Sequence, residues 1–234
     1  MKLIITSFVM LLFSVNVFSQ QLNAYFQIAT EEPLVVLKAT DKLMNSEFGK
    51  NFPASVVLYA ELFNGKETAT HTLGFLFKDA EGMQKAYELW MESKEVAEWN
   101  KIVNAVDQDA GNILTTPIVQ GASSPLKDMV FMRFTLSVKD EAKYAIAYTK
   151  FTKDAINRGI DKGSYGLSSI VAGSNPKMTH FAYIGAPNIP LLLKRVATLK
   201  ADEGYKMFAQ KVAEIRTVEK QDMIMRVKAW NTLK

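Results

Sequence analysis

The chain carries the same local pattern twice, and this internal repeat limits the folds that it can adopt. Its two histidines, His71 and His180, each follow a threonine and stand 109 positions apart. The same offset relates Trp99 to Phe208, which lie on one face of a helical pattern in each half. Repetition at a fixed period indicates that one supersecondary unit occurs twice. Duplication alone therefore accounts for the paired Thr-His dipeptides, without a catalytic role.

Each half has the element order strand, helix, strand, strand, helix, strand, judged from alternating or helical spacing of apolar residues. In the first half the pattern predicts strand 22–29, helix 33–48, strands 54–63 and 69–77, helix 80–106 and strand 112–120. In the second half it predicts strand 128–138, helix 141–160, strands 165–173 and 178–186, a helical segment 189–218 with a break near 201–204, and strand 222–230. The order β-α-β-β-α-β, found twice, predicts two ferredoxin-like units.

Several single residues support these boundaries. Asn64–Gly65 has the composition of a turn between two paired strands. Asp79 is placed to cap the long helix of the first half, and Gly159 to end the first helix of the second half. Pro117 cannot donate a ladder hydrogen bond, so it predicts an edge or a bulge in its strand.

This double unit resembles the dimeric α+β barrel superfamily, which includes antibiotic biosynthesis monooxygenase-like and stress-responsive barrel proteins. The resemblance covers nearly all of the chain after residue 19 and rests on element order and duplication. It implies an α+β fold in which two sheets face each other, here as an intramolecular dimeric α+β barrel. We therefore expect a first unit at 20–121 and a second at 122–234, joined by a Ser-, Gly- and Pro-rich link.

Haem-degrading members of that superfamily use an Asn, a Trp on a strand and a His on a helix. Asn23 falls near the start of the first strand, as that pattern requires. Trp90 and Trp99, however, fall on a predicted helix and His71 on a predicted strand. The triad is not reproduced, so haem degradation is not expected and no cofactor is predicted. We expect the two tryptophans to be core residues between helix and sheet.

The first 19 residues have the layout of a secretory signal peptide. Lys2 precedes a short apolar run, and Val17 and Ser19 supply small residues before a cut at Gln20. The alternative, a membrane anchor, would need a longer apolar run to cross a hydrocarbon core of ~30 Å. We therefore expect export to the periplasm or the medium, with no stable membrane insertion after cleavage.

Composition excludes several classes of site. The chain has no cysteine, which removes disulfides, cysteine nucleophiles and thiolate metal sites, and two histidines are a poor metal set. The net charge of +4 comes without a dense Lys/Arg run, so no nucleic-acid partner is expected. The motifs of zinc hydrolases, serine hydrolases and nucleotide-binding loops are absent from the sequence.

Alternation along the strands separates a helix-facing side from a side that lines the barrel interior. Both histidines share the more apolar side, which should lie under the helices, where a ring could bond a loop carbonyl. Lys228 and Trp230 share the other side with Arg226. The candidate ligand-binding residues on that interior side are Tyr25, Tyr59, Glu61, Arg133, Tyr183 and Arg226. No catalytic residue is identified.

These residues suit a small apolar or weakly acidic molecule bound between the sheets of an exported, non-enzymatic protein. Alternatively, Glu61 pairs with an arginine and the barrel is simply filled. A second function class is a cofactor-independent monooxygenase-like or isomerase-like enzyme, in which Tyr59, Arg133 or Tyr183 polarises the substrate and a histidine moves a proton. That reaction requires a histidine to reach the interior. A third class is a protein-interaction module that assembles through helical faces or edge strands.

Overall fold

The computed structural model describes residues 20–108, 111–121, 125–173, 175 and 177–232. The predicted signal peptide at 1–19 lies outside the described residues. The strands are β1 Leu22–Ile28, β2 Ala54–Phe63, β3 His71–Phe77, β4 Asn112–Gln120, β5 Val130–Val138, β6 Tyr165–Ala172, β7 His180–Ala186 and β8 Arg216–Trp230. The helices are α1 Pro33–Asn45, α2 Glu47–Asn51, α3 Ala80–Glu92, α4 Lys94–Asn104, α5 Glu141–Asn157, α6 Ile189–Ala201 and α7 Glu203–Lys211. None of these helices has the length and apolar character of a membrane span.

All eight strands belong to one closed antiparallel barrel in the order β1-β3-β2-β8-β5-β7-β6-β4. The last strand of each half joins the two halves. β4 pairs with β1 on one side and with β6 on the other, while β8 lies between β2 and β5. Closure pairs both edges of each of these eight described strands. The predicted mixed α+β barrel is therefore confirmed.

The helices pack on the outer face of the barrel, where the main hydrophobic core lies. In the first half, Leu58 of β2 and Leu73 of β3 pack in one cluster with Val36 of α1 and Val96 of α4. All four side chains are at most 3% exposed, and full burial of one such side chain stabilises the fold by about 1.5–3 kcal/mol. Trp90 and Trp99 pack against the same cluster, so the prediction that they are helix-to-sheet core residues is confirmed.

The second half has an equivalent core beneath its own helices. Leu136 of β5 and Leu167 of β6 pack in one cluster with Tyr144 of α5 and Phe208 of α7. A smaller cluster, which includes Leu192 of α6, completes the outer core of this half. The barrel interior is consequently left to the residues on the opposite strand faces.

Two predicted helices are each divided in two by a capping residue. Ser46 interrupts 33–48 and Ser93 interrupts 80–106, and each side-chain oxygen accepts a hydrogen bond from the backbone N–H three residues later. Asp202 does the same between α6 and α7, where a break was predicted. Ser and Asp satisfy the free N–H groups of a helix start, so they allow the chain to turn and a new helix to begin.

The start of β8 differs from the prediction. Helical spacing extends to 218, yet α7 ends at Lys211 and the strand begins at Arg216. The residues from Arg216 onward pair in register with β5, beginning with Arg216 opposite Val138. Ladder hydrogen bonds to a neighbouring strand outweigh local helical spacing here, a competition that the single sequence does not reveal.

β-Bulges in two strand pairs, β4–β6 and β2–β8, change the side of the sheet on which the following side chains lie. The register between β4 and β6 shifts after Pro117, which confirms the predicted bulge. The register between β2 and β8 shifts between the pairs Leu58–Lys228 and Tyr59–Arg226, so that β8 carries one extra residue. An extra residue reverses the alternation of side chains beyond it.

Candidate functional site

The barrel encloses a cavity of ≈ 100 Å³, called here the interior cavity. Four of the six candidate residues line it together: Tyr25 from β1, Tyr59 from β2, Arg133 from β5 and Tyr183 from β7. The other lining residues are Gln21, Asn23, Thr72, Leu76, Ile113, Val119, Gln120, Pro125, Phe131, Gly166, Ser168, Phe181 and Ile224. Aromatic rings contact one another in the interior, as Tyr59 does with Phe131 and Phe131 with Tyr183.

Two strand glycines make room for tyrosine rings. Tyr25 lies opposite Gly74 in the β1–β3 register, and Tyr183 lies opposite Gly166 in the β6–β7 register. A Cβ added at Gly74 would lie 3.1 Å from the Tyr25 ring, and one at Gly166 would lie 2.3 Å from Cε1 of Tyr183. Each ring therefore covers the space that a side chain would fill on the neighbouring strand, a pairing that stabilises glycine in sheets.

The hydroxyls of Tyr25, Tyr59 and Tyr183 make no hydrogen bond to any described residue. Their oxygens are not among the fully buried atoms that lack a partner, so each keeps some accessible surface. Burial raises the pKa of Tyr59 to about 12, while the charges of Arg226 and Arg133 act in the opposite direction. Burial also raises the pKa of Tyr25 and of Tyr183, and repulsion from the other tyrosines adds to it. At neutral pH all three phenols are protonated and can donate a hydrogen bond into the cavity.

Arg133 is held between two buried carboxylates. Its Nε donates to Oδ1 of Asp222 at 2.8 Å, and its Nη2 donates to Oδ2 of Asp222 at 3.0 Å and to Oε2 of Glu61 at 3.1 Å. The hydroxyl of Thr72 donates to Glu61 Oε1 at 2.6 Å, and Lys220 Nζ lies 3.2 Å from Asp222 Oδ2. The side chains of Glu61 and Asp222 are each 1% exposed. Glu61 thus holds the Arg133 guanidinium in place through this hydrogen bond but does not itself line the interior cavity.

Asp222 is the site residue that sequence reasoning missed. It faces Arg133 directly across the β5–β8 ladder. The signal was present, because Asp222 alternates with Ile224, which lines the cavity.

Arg226 lies opposite Tyr59 in the β2–β8 ladder but does not line the interior cavity. Its guanidinium donates to the carbonyl of Leu126 and lies 3.2 Å from the sulfur of Met129. The prediction that Lys228 and Trp230 share its side is wrong, because the bulge in β8 reverses the alternation between them. Both residues instead bond to Asp41 of α1 on the outer side of the barrel.

Both histidines lie on the helix-facing side of their strands. His180 is 4% exposed, with Nδ1 2.8 Å from Thr179 Oγ1 and Nε2 2.9 Å from Glu141 Oε2 at the start of α5. His71 has Nδ1 3.0 Å from Thr70 Oγ1. Their partners are hydroxyls and a carboxylate, rather than the loop carbonyls that the sequence suggested. Because neither ring reaches the interior, the enzyme hypothesis in which one of them moves a proton there is wrong.

Two larger pockets lie outside the barrel, between its strands and the helices. The first outer pocket, ≈ 280 Å³, lies under α3 and α4 and has Trp90 and Trp99 in its wall. Its polar lining residues are Gln27, Asn100, Asn104, Asp107 and Asn112. The second outer pocket, ≈ 330 Å³, lies under α5, α6 and α7, and eight tyrosine and phenylalanine residues are among those that line it. The volume of the first pocket is close to the ~300 Å³ at which small-molecule sites begin, and that of the second exceeds it.

Solved structures of other proteins share this fold. A "putative monooxygenase" from Lactobacillus acidophilus superposes with a TM-score of 0.61 at 10% identity, over 90% of this chain and 96% of the other. An anthrone oxidase-like protein gives 0.58 at 10% identity, over 90% and 92%. A haem-binding protein from Thermus thermophilus gives 0.53 at 8% identity, over 90% and 92%. At such identities the likeness shows the α+β barrel fold alone.

Sequence comparison adds no family assignment. No protein-family model matches the chain, and no curated protein matches it.

The haem of the Thermus thermophilus neighbour raises the question of whether these residues could hold one. A haem iron needs an axial ligand, most often His or Cys thiolate. Both nitrogens of His180 have protein partners, His71 lines neither outer pocket, and the chain has no cysteine. The described residues also contain no group of three or more His, Cys, Asp or Glu side chains placed to hold a metal. A haem with a His or Cys ligand does not fit.

Proposed function

We propose that the protein binds a small, neutral, oxygen-bearing molecule in the interior cavity. The observation that carries the proposal is the set of three tyrosine hydroxyls that line one cavity without a hydrogen-bond partner among the described residues. Protonated phenols donate to carbonyl, ether or hydroxyl oxygens. Aromatic walls and a few fixed polar groups are the usual composition of a ligand site.

The charge around Arg133 favours a neutral ligand over the weakly acidic one that the sequence suggested. Glu61 and Asp222 both bond to the guanidinium, and Lys220 is the other cation of the network. Lys220 also lies 3.8 Å from Glu67, so three carboxylates accompany two cations and no net positive charge is left to attract an acid. The volume of ≈ 100 Å³ exceeds the ~10–15 Å³ that one water needs and lies below the ~300 Å³ of ordinary sites. The occupant is therefore a molecule of few heavy atoms.

Native mass spectrometry of the protein purified from its own host tests this proposal, beside a denatured sample as the control. A reproducible extra mass in the native spectrum is expected, and it should decrease in Tyr59→Phe and Tyr183→Phe. The matched control is Tyr87→Phe, which removes a hydroxyl from an exposed residue outside the cavity. A native mass equal to that of the polypeptide alone under every gentle ionisation condition would contradict the proposal.

An enzymatic alternative is supported by the names of two fold neighbours and by the first outer pocket. This pocket combines two tryptophan rings with amide groups, which suits an aromatic substrate bearing carbonyl oxygens. The proposed activity is a cofactor-independent, monooxygenase-like oxidation. Anthrone is the substrate to test first, with oxygen uptake as the readout and Asn100→Leu as the variant. Uptake equal to that of a heat-denatured sample would argue against it.

We also propose that the chain consists of two fused ferredoxin-like units, 20–121 and 122–234, and that it is exported by its first 19 residues. The proposal of two fused units is supported by the strand order, which reads β4-β1-β3-β2 in one half and β8-β5-β7-β6 in the other.

The proposal of export is supported by the sequence pattern alone. N-terminal sequencing of the protein recovered from periplasm or medium tests it, with Gln20 expected as the first residue.

A further inference from the structure

The second outer pocket has walls of aromatic rings. Its lining includes Tyr144, Tyr148, Phe151, Tyr205 and Phe208. The rings of Phe151 and Phe208 stack with centroids 5.0 Å apart and planes 15° apart. Parallel and edge-on ring faces at such distances accept a further aromatic ring. The pocket, ≈ 330 Å³, has room for a fused two-ring molecule.

Arg216 contributes a cation to this pocket, and one of its donor atoms has no partner. Its Nε is buried and has no hydrogen-bond partner, and no carboxylate in the described part of the chain lies within 4.0 Å of its guanidinium. The guanidinium carbon lies 5.8 Å from the centre of the Phe208 ring. A buried donor without a partner is costly, and a charged one more so, unless a ligand or solvent satisfies it. Arg216 is therefore prepared to bind an anion beside an aromatic surface.

The other charged residues of the pocket do not neutralise Arg216. Asp161 lines the pocket, but its carboxylate lies 2.6 Å from Arg195 and is paired there. Lys200 lines the pocket as a second cation. The guanidinium acts on the Tyr144 hydroxyl through its charge and through a side-chain hydrogen bond, and both oppose the rise that burial causes in the pKa of that tyrosine. The pocket thus keeps a net positive charge.

We propose that the second outer pocket binds an aromatic carboxylate, with its ring against Phe208 and its carboxylate on the Arg216 guanidinium. Arg pairs with carboxylates through two parallel hydrogen bonds. The cation over Phe208 and the stacked rings place the ligand ring and the ligand charge at adjoining positions. Tyr183 lines both this pocket and the interior cavity, but Phe208 and Arg216 do not line the interior cavity, so the proposal stands independently of the proposed function.

Isothermal titration with 2-naphthoate tests the proposal, with 2-naphthamide as a neutral ligand of the same shape. The intact protein should bind the carboxylate about 10-fold or more tightly than the amide, as expected for a charge-assisted hydrogen bond. In Arg216→Gln this preference should vanish, while Arg216→Lys should keep part of it. Arg226→Gln is the matched control, because that arginine bonds to a backbone carbonyl and lies outside the pocket.

A second measurement needs no variant and so does not depend on the folding of Arg216→Gln. In ¹⁵N-labelled protein, 2-naphthoate should shift the Nε–H resonance of Arg216 and leave that of Arg226 in place. An unmoved Arg216 resonance at saturating ligand would overturn the proposal. Equal affinity for naphthoate and naphthamide, or no binding of naphthoate at millimolar concentration, would overturn it as well.

Discussion

Arg133 and Asp222 face each other across the β5–β8 ladder and share two parallel hydrogen bonds, at 2.8 and 3.0 Å. Asp222 belongs to the last strand of the second half, and Glu61, which binds the same guanidinium, belongs to the first half. One arginine therefore joins strands from both halves inside the barrel. A buried pair of this kind is costly to break from one side, because the remaining charges lose their partner.

Arg133→Met should lower the free energy of unfolding by about 3–5 kcal/mol, since Glu61 and Asp222 would then remain buried without their common cation. Urea unfolding followed by tryptophan fluorescence measures the change. The triple variant Arg133→Met, Glu61→Gln, Asp222→Asn should recover much of it. Lys42→Met breaks the Lys42–Glu98 pair, which is 74% and 67% exposed, and as a control should change stability by less than about 1 kcal/mol. A loss at Arg133 no larger than this control would show that the pair is not essential.

Gly166→Ala should destabilise the barrel by about 2 kcal/mol or more, whereas Gly74→Ala should cost about 1 kcal/mol. The added methyl group at Gly166 would overlap the Tyr183 ring, while at Gly74 it would only be in tight contact with Tyr25. Denaturant unfolding of the two single variants gives the comparison. The double variant Gly166→Ala, Tyr183→Ala lacks the ring and therefore the overlap. In the Tyr183→Ala background, Gly166→Ala should consequently lower the free energy of unfolding by less. Equal costs at the two glycines would contradict the stated geometry.

The pKa of His71 should lie below its ordinary value near 6.5, because burial disfavours the charged ring. The unfolded chain then binds the proton more strongly than the folded chain, so stability is complete above pH ~6.5 and falls as the solution is acidified below it. Proton NMR titration resolves the two histidines of the chain, and His180→Gln assigns them. His71→Gln should flatten the change in unfolding free energy between pH 5 and 7. A His71 midpoint above 6.5 would contradict the burial argument.

Tyr59 should ionise near pH 12, well above the ordinary midpoint of ~10. Its folded pKa is raised, so its contribution is complete below pH ~10 and is lost as the pH rises toward 12. Stopped-flow pH jumps with detection at 295 nm measure ionisation before the protein unfolds. Tyr59→Phe should remove absorbance that appears near pH 12 in the unchanged protein. If the absorbance that Tyr59→Phe removes appears near pH 10 instead, the Tyr59 ring is solvated.

Much of the fold was predictable because its signals are local. The limits of β2 at Ala54–Phe63 and β4 at Asn112–Gln120 follow from runs of β-favouring residues between turn signals. The cap at Asp79, whose Oδ1 accepts from the Gly82 backbone at 2.7 Å, follows from residue chemistry. The placement of both histidines under the helices follows from alternation along a strand without bulges.

The site was only partly predictable, since it depends on register between distant strands. Alternation brought Tyr25, Tyr59 and Tyr183 to one cavity. It failed at Trp230, because a bulge in β8 depends on pairing with β2 rather than on any residue of β8 alone. The partner of Arg133 could not be chosen among the acidic residues before the β5–β8 register was known.

The sequence by itself determined the element order, the turn and cap positions and the side that most strand residues take, because these depend on neighbours a few positions apart. Tertiary structure alone decided the closure of the barrel, the extension of β8 back to Arg216, the pairing of Arg133 with Asp222 and the placement of the Arg216 guanidinium beside Phe208 in an aromatic pocket. Each of these depends on which distant strand supplies the hydrogen-bond ladder. That choice depends on the free energy of the whole closed sheet and cannot be derived from any single segment.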